Sequence, residues 1–146
     1  MITFKKIQKI KTHDGYMIPI YRDWDYQINE RHIPKMVYAT MLESNIEKDI
    51  ILHERRSTYM TCIQGTIEFE TYNIDGTIKK YFLSSKEDVS GLINLIIATA
   101  NTPIKLSNLT NELAIVINCP DHSWHPDDTD TIKFKNWSEF KAWKKD

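Results

Sequence analysis

The chain has 146 residues, a formal net charge of −1, 41% hydrophobic residues and 11% aromatic residues. This length fits one domain over residues 1–146, and the composition predicts an ordinary packed core rather than disorder. A net charge so close to zero attracts neither nucleic acid nor an anionic membrane, so we expect neither as a partner. No apolar run approaches the roughly 20 residues that span a bilayer, and the N-terminal residues lack the apolar stretch of a signal peptide.

The only two cysteines, Cys62 and Cys119, lie in apolar runs typical of β-strands. In that setting a cysteine behaves as a small buried hydrophobic residue. Together with the absence of a targeting signal, this predicts a reducing, cytoplasmic location.

Short apolar runs rich in Ile and Thr, bounded by turn residues, predict β-strands through the centre of the chain. Asp75-Gly76 predicts a type I′ hairpin turn, because this dipeptide accepts the positive φ values of that turn. Spaced strands with turns between them indicate a sandwich or a closed barrel, with a mixed α+β domain as the alternative. The predicted strands cover residues 37–42, 50–53, 59–73 (two strands around Gln64-Gly65), 78–83, 92–99, 105–108 and 113–118.

Strict alternation marks the second half of the run at 59–73. Ile67 and Phe69 fall on one face of the predicted strand, whereas Glu68 and Glu70 fall on the other. If the second face points inward, the two glutamates form a carboxylate pair in a cavity. If it points outward they are solvated, which is the interpretation we favour.

The C-terminal segment has a helical pattern. Asn136 followed by Glu139 has the form of a helix N-cap with an acidic residue three positions later. Trp137, Phe140 and Trp143 recur at helical spacing. We therefore expect a short C-terminal helix whose aromatic stripe packs onto the wall of the barrel, or alternatively against a partner subunit.

Two segments carry a resemblance to a known family. Residues 53–65, HERRSTYMTCIQG, place a histidine and basic residues before a strand that ends in a glycine turn. Residues 108–121, NLTNELAIVINCPD, place a polar turn before a long apolar strand that is followed by an Asp, and residues 125–128 continue this exit. Over roughly residues 37–134 the chain resembles the dTDP-4-dehydrorhamnose 3,5-epimerase-like branch of the cupins.

The resemblance implies an all-β cupin jelly-roll barrel, followed here by the short helix. Such barrels are usually dimeric, and their interior holds a nucleotide-linked sugar, typically dTDP-activated. The epimerases use a histidine base beside a ketone, a tyrosine acid on the opposite face and no metal or other cofactor. Related members isomerise 4-keto-6-deoxysugars between 3-keto and 4-keto forms. The resemblance thus implies a homodimeric sugar-nucleotide epimerase or isomerase of cell-surface polysaccharide biosynthesis.

A metal site, which many cupins possess, is not expected here. His53 stands alone, because Ile51 occupies the position two residues before it and residues 98–103 contain no histidine. One imidazole does not hold a metal that needs three or four protein ligands. His122 and His125 would be adventitious ligands at best.

Three residues are candidates for acid–base catalysis. His53 suits the role of base, because an imidazole titrates close to cellular pH. Tyr59 could supply a hydroxyl group, although its position is not that of the family's acid. Asp121 could orient a base, or it could simply cap the turn that follows the last strand, which is the more frequent role.

Four further residues are candidates for substrate binding. Arg55 or Arg56 could meet the phosphate oxygens of a nucleotide-sugar bidentately, and Tyr72 could stack on a base. Asn118 is a polar candidate at the end of the last strand. The acidic residues at 127, 128 and 130 are expected to form a solvated loop.

Two departures from the family pattern leave alternatives open. In one register Ile51 takes the place of the family's catalytic histidine, and only a shift of two residues would restore it as His53. The predicted strand at 113–118 also lacks the family's tyrosine. A catalytically degenerate cupin that binds a sugar or nucleotide-sugar without turnover is therefore the main alternative, and a structural or oligomer-forming protein is a third.

Overall fold

A computed structural model describes residues 1–22, 32–127 and 129–145. Within these ranges the chain is mostly β-strand, with one helix near its C-terminus. In chain order the elements are β1 (Ile2–Gln8), β2 (Ile10–Thr12), β3 (Gly15–Met17), β4 (Tyr38–Leu42), β5 (Ile46–Glu47), β6 (Ile50–His53), β7 (Thr58–Gln64), β8 (Thr66–Tyr72), β9 (Ile78–Ser84), β10 (Leu92–Ala98), β11 (Ile104–Asn108), β12 (Ala114–Pro120), β13 (Thr131–Phe134) and α1 (Trp137–Lys144).

The strands form two main sheets. The front sheet has the order β1-β10-β7-β12-β4, and the back sheet has the order β13-β6-β11-β8-β9, with β5 also paired to β11. Strands β2 and β3 form a separate hairpin, and all of these pairings are antiparallel. The predicted all-β sandwich is confirmed, and the mixed α+β alternative is wrong.

The main core lies between the two sheets. The front sheet contributes Met60 and Cys62 from β7, and the back sheet contributes Phe69 and Leu106 from β8 and β11. All four side chains are buried, and removing such apolar surface from water is the dominant stabilising contribution to a fold of this kind. Cys62 and Cys119 are both free and buried, as expected, and burial raises the pKa of the Cys62 thiol to about 11.

The outer face of the front sheet is partly covered as well. Tyr59, Ile97 and Cys119 lie on this face, and Ile18 and Tyr21 of the N-terminal segment pack against them. Strand β7 therefore has buried side chains on both faces, which explains its nearly continuous apolar run.

Glycine is required at the turn between β7 and β8. Gly65 has a φ of 74°, and a Cβ at this position would lie 2.8 Å from the carbonyl oxygen of Leu113. The hairpin predicted at Asp75-Gly76 is also present and joins β8 to β9. Only Gly76 of that pair has a positive φ, so the turn is not of the predicted type I′.

Helix α1 begins as its sequence predicts. The Asn136 side chain accepts a hydrogen bond from the backbone N–H of Glu139 at 2.9 Å, and the Glu139 carboxylate accepts one from the N–H of Lys135 at 2.6 Å. Phe140 is buried against Phe134 on the outer face of the back sheet. The predicted helix and its packing on the wall are thus confirmed. No helix within the described ranges is long and apolar enough to cross a membrane.

Glu68 and Glu70 point outward, as we favoured, but they are not solvated. Their side chains are only 10% and 11% exposed, and the Lys80 ammonium lies 2.8 Å from Glu68 and 3.2 Å from Glu70. The indole N–H of Trp137 also donates to Glu70 at 2.9 Å. Helix α1 covers this face of β8, which the alternation of the strand alone could not indicate.

We expect Trp137→Phe to destabilise the protein in a pH-dependent way. Burial acts to raise the pKa of Glu70, but the hydrogen bonds from Trp137 and Lys80 outweigh it and hold that pKa below its usual 4.5. A carboxylate with a lowered folded pKa stabilises the fold above its usual pKa, and this contribution is lost as pH falls through the lowered value. Losing the indole donor should therefore cost about 1–2 kcal/mol at neutral pH and progressively less in acid.

Urea unfolding at neutral pH and below pH 4.5 measures this difference. The matched control is Trp143→Phe, because the Trp143 ring contacts Phe134 and Phe140. Its cost should not depend on pH. An equal cost of Trp137→Phe at both pH values would show that the indole hydrogen bond does not stabilise the ionised carboxylate.

Five strands were not predicted: the hairpin strands β2 and β3, the two-residue β5, and the longer β1 and β13. Strand β1 pairs with β10 along its whole length, and β13 pairs with β6 from Thr131↔His53 to Phe134↔Ile50. In β1 and β13, the alternation of polar and apolar residues was the pattern that could have indicated a strand. The second pairing matters for function, because it brings a late segment of the chain beside His53.

Candidate active site

A cavity of about 670 Å³ opens between the β4 edge of the front sheet and the β6–β13 edge of the back sheet. Its walls carry Tyr38 from β4, His53 from β6, and Thr131 and Lys133 from β13. This volume is within the range of sites that hold a small molecule. Side chains of both sheets that can take part in chemistry thus face one open cavity.

His53 points into this cavity because of the register of the back sheet. Ile51 lies opposite Ile104, and Ile104 lies opposite Thr71, so these three residues share one face. Ile51 packs against the core between the sheets, and His53, two residues later, lies on the same face. The Nδ1 atom of His53 lies 3.0 Å from the hydroxyl oxygen of Thr131.

Asp130 lies at the centre of the polar groups beside His53, although we expected it in a solvated loop. Its side chain is only 4% exposed, and one carboxylate oxygen lies 4.0 Å from Nδ1 of His53. The other oxygen accepts the backbone N–H of Arg55 at 2.6 Å. The expectation for Asp130 is wrong because β13 begins at the next residue and pairs with β6, which places Asp130 in the wall of the barrel. Position 128 of that acidic run lies outside the described residues, while Asp127 is exposed.

The two predicted arginines meet at this carboxylate. Nε of Arg55 lies 3.5 Å from one oxygen of Asp130, and Nε of Arg56 lies 3.4 Å from the other. The side chain of Arg55 is 67% exposed and lines a second groove, together with Lys35, His122 and His125, which we call the outer groove. The side chain of Arg56 is 5% exposed and lines both the outer groove and the His53 cavity. Both guanidinium groups thus already have a carboxylate partner. Their role in binding phosphate stays a prediction.

Tyr38 is the tyrosine that the fold places in the cavity with His53. It lies opposite Asn118 on β12, and Asn118 lies opposite Met60 of the core, so Tyr38 faces inward. Burial raises the pKa of its phenol, while the charge and hydrogen bond of Arg56 act in the other direction. Tyr38 was not among the predicted site residues, although it begins an alternating strand in which Tyr38 and Leu42 share a face.

Tyr59, our candidate for the hydroxyl, lies on the opposite face of the front sheet. It is completely buried beneath the N-terminal segment, and its hydroxyl donates to the backbone oxygen of His32 at 2.6 Å. Burial, followed by neighbouring negative groups, raises its pKa to about 12. The structure therefore does not bring Tyr59 together with His53.

Tyr72 and Asn118 are also separated by the fold. Tyr72 lies on the outer face of the back sheet, stacked on Trp137 with 6.1 Å between ring centroids and edge-on to Phe140. Asn118 faces inward but is buried, and its amide donates to the hydroxyl of Thr40 at 3.2 Å. Tyr72 is thus remote from the face that carries His53, and Asn118 supports the strand that carries Tyr38.

Asp121 joins three parts of the chain. Its carboxylate accepts the backbone N–H of Ser57 at 2.9 Å and contacts Nδ1 of His32 at 3.1 Å and Nδ1 of His122 at 2.9 Å. Burial acts to raise the pKa of Asp121, but the hydrogen bonds outweigh it and the pKa is lowered. Asp121 therefore contacts two imidazoles, but the structure does not place it against His53.

Within residues 1–22, 32–127 and 129–145, no three His, Cys, Asp or Glu side chains converge as a metal site requires. His122 and His125 both line the outer groove and do not line the His53 cavity.

Solved structures of sugar-modifying proteins share this fold. A dTDP-sugar isomerase from Desulfovibrio desulfuricans G20 matches 91% of this chain over 83% of its own, with a TM-score of 0.78 and 12% identity. QdtA, a sugar 3,4-ketoisomerase from Thermoanaerobacterium thermosaccharolyticum in complex with TDP, matches 99% over 96%, with a TM-score of 0.70 and 17% identity. ChmJ, a 3′-monoepimerase from Streptomyces bikiniensis in complex with dTDP-quinovose, matches 90% over 68%, with a TM-score of 0.74 and 11% identity.

These likenesses establish the fold as that of the dTDP-sugar isomerases and epimerases, a cupin-type jelly roll. The predicted fold is confirmed, and the chain is similar in structure to the same group of proteins that the two sequence segments resemble. No protein-family model matches the sequence, and no curated protein matches it significantly.

Proposed function

We propose that this protein is a cytoplasmic epimerase or isomerase of a dTDP-4-keto-6-deoxysugar, acting in cell-surface polysaccharide biosynthesis without a metal or other cofactor. The observation that carries the proposal is the placement of His53 and Tyr38 in one cavity, on opposite sheets. Proteins with this fold are described as dTDP-sugar isomerases and epimerases, and one was solved with TDP bound.

In the proposed reaction His53 removes a proton from the carbon beside the sugar ketone. The electron pair of that C–H bond forms an enolate, and the proton moves to the imidazole. The Asp130 carboxylate, 4.0 Å from Nδ1, stabilises the resulting imidazolium, while Thr131 holds the ring in place. Because Nδ1 contacts Thr131, we assign proton transfer to Nε2.

The second step returns a proton to the enolate. Burial keeps the Tyr38 phenol protonated at neutral pH, so it can donate from the opposite side of the cavity. Donation to carbon from that side inverts the centre and gives the epimer. The 3-keto isomer forms instead when the enolate oxygen at C4 takes up a proton, the 3-hydroxyl of the resulting enediol loses its proton, and C4 accepts one.

Incubation with dTDP-4-keto-6-deoxyglucose in deuterated water tests the proposal. Deuterium should appear at a carbon beside the ketone, as seen by NMR or mass spectrometry. Binding of dTDP without any deuterium incorporation would identify the alternative, a degenerate cupin that binds without turnover. The orientation of Tyr59 away from His53 and the lack of tyrosine in β12 are the observations that favour this alternative.

We also propose that the protein is a homodimer and that the exposed part of the front sheet forms its interface. Strand β4 is an edge strand, and Val37 and Met41 beside and within it are 65% and 64% exposed. Ile63 and Leu113 extend this apolar surface, which we call the β4 patch. The described N-terminal residues cover the other half of the same face, so a second copy is the occupant that would complete the cover.

Met41→Glu should therefore convert a dimer to a monomer in sedimentation-velocity runs, because it places a charge in an apolar contact. Phe82→Glu is the matched control, since Phe82 is 61% exposed on β9 at an edge of the other sheet. It should leave the dimer intact. A wild-type protein that sediments as a monomer at micromolar concentration would rule out this interface.

A further inference from the structure

Two lysines stand at the mouth of the His53 cavity. Lys48 lies between β5 and β6, and Lys133 lies in β13 directly opposite Ile51. Both side chains line the cavity that contains His53 and Tyr38, and both are exposed to solvent. They therefore stand where a ligand would enter, while His53 lies deeper and is mostly buried.

Neither lysine forms an ion pair with the described residues. Glu47 and Asp49 also line the cavity, but no described carboxylate lies within 4.0 Å of either ammonium group, and the Glu47 carboxylate is 3.5 Å from Lys105 instead. Partial burial, and next the positive charge of Lys133, lower the pKa of Lys48. Two like charges that face one cavity mouth repel each other, and an anion bound between them relieves this repulsion.

The arginines differ from the lysines in this respect. Arg55 and Arg56 both contact Asp130, and Arg56 also bonds to Tyr38. If either guanidinium bound a phosphate, it would have to leave the buried Asp130 carboxylate, and an unpaired buried charge costs free energy. Binding at the lysines requires no such exchange.

We infer that Lys48 and Lys133 bind the diphosphate of a nucleotide-sugar at the cavity mouth, with the keto-sugar directed inward to His53. This assignment rests on the proposed function. Lys48 and Lys133, which were not among the predicted site residues, bind the anionic end of the substrate. Arg56 then positions Tyr38.

Calorimetric titration with dTDP tests the inference on three proteins: the wild type, the double variant Lys48→Ala/Lys133→Ala, and the control Lys35→Ala/Lys86→Ala. The control removes the same charge from two exposed positions that do not line the His53 cavity. Each lysine that contacts phosphate should contribute about tenfold in affinity, so the lysine variant should bind roughly a hundredfold more weakly. The control should stay within about threefold of the wild type, as expected for a distant, screened charge.

Two further readouts distinguish phosphate binding from general damage. Added salt should weaken dTDP binding more steeply in the wild type than in the lysine variant, because fewer ionic contacts remain. Thymidine, which has no phosphate, should bind both proteins equally weakly. Thermal unfolding should confirm that the lysine variant remains folded.

Two results would overturn the inference while the proposed reaction stands. In one, the lysine variant binds dTDP as tightly as the wild type. In the other, the control loses the affinity, which would place the diphosphate outside the His53 cavity. Lysine-dependent dTDP binding without deuterium exchange would instead reject only the proposed reaction. A wild-type protein that does not bind dTDP would reject both.

Discussion

His53→Gln is expected to abolish deuterium exchange and turnover while dTDP binding is kept. Glutamine has a similar length and can still contact Thr131, but it cannot accept the substrate proton. Removing a positioned general base usually costs about 10²–10⁴ in rate, and His53 is the histidine that lines this cavity. NMR of the deuterated product and titration with dTDP measure the two quantities on the same preparation.

His125→Gln is the control for this substitution. His125 is exposed and lines the outer groove rather than the His53 cavity. It should exchange deuterium at the rate of the wild type. A His53→Gln protein that remains folded and exchanges deuterium as fast as the wild type would remove His53 from the reaction.

Tyr38→Phe should separate the two halves of the reaction. His53 can still remove the proton and return one to the same face, so deuterium exchange should persist. The inverted product should fall by about 10²-fold or more, because its proton must come from the Tyr38 side. Product stereochemistry by NMR, measured beside the exchange rate, shows whether the two effects divide in this way.

Tyr59→Phe is the matched control, and its expected effect is on stability. It removes the hydroxyl that donates to the His32 carbonyl inside a buried cluster. The free energy of unfolding should fall by about 1–2 kcal/mol, while turnover at a temperature where the protein is folded should not change. Loss of the inverted product in Tyr59→Phe, with Tyr38→Phe fully active, would reverse the assignment of the acid.

Local patterns were sufficient to predict most of the elements. The central strands, the glycine turn at Gly65 and the N-cap of α1 each depend on residues that are close in the chain. Short-range sterics and hydrogen bonds determine these features, so they can be read without knowing what packs on them. His53 was selected in the same way, from the residues that surround it.

Which face of a strand points inward could not be read locally. In β7 both faces are buried, because the N-terminal segment covers Tyr59 on the outside while Met60 faces the core. In β8 the outer face is buried under α1, so Glu70 is enclosed although it points away from the core. Alternation separates two faces, but it identifies the inner one only when the other is in water.

Local residue patterns were enough to predict an all-β chain with a C-terminal helix and a histidine ahead of a strand that ends in a glycine turn. Long-range packing was needed to show that His53 faces the cavity, that Tyr38 rather than Tyr59 faces it too, and that Asp130 lies beside His53. Asp130 and His53 are 77 positions apart in the chain and meet because β13 pairs with β6. Pairing between distant strands is set by how the whole core packs, which no local pattern of residues contains.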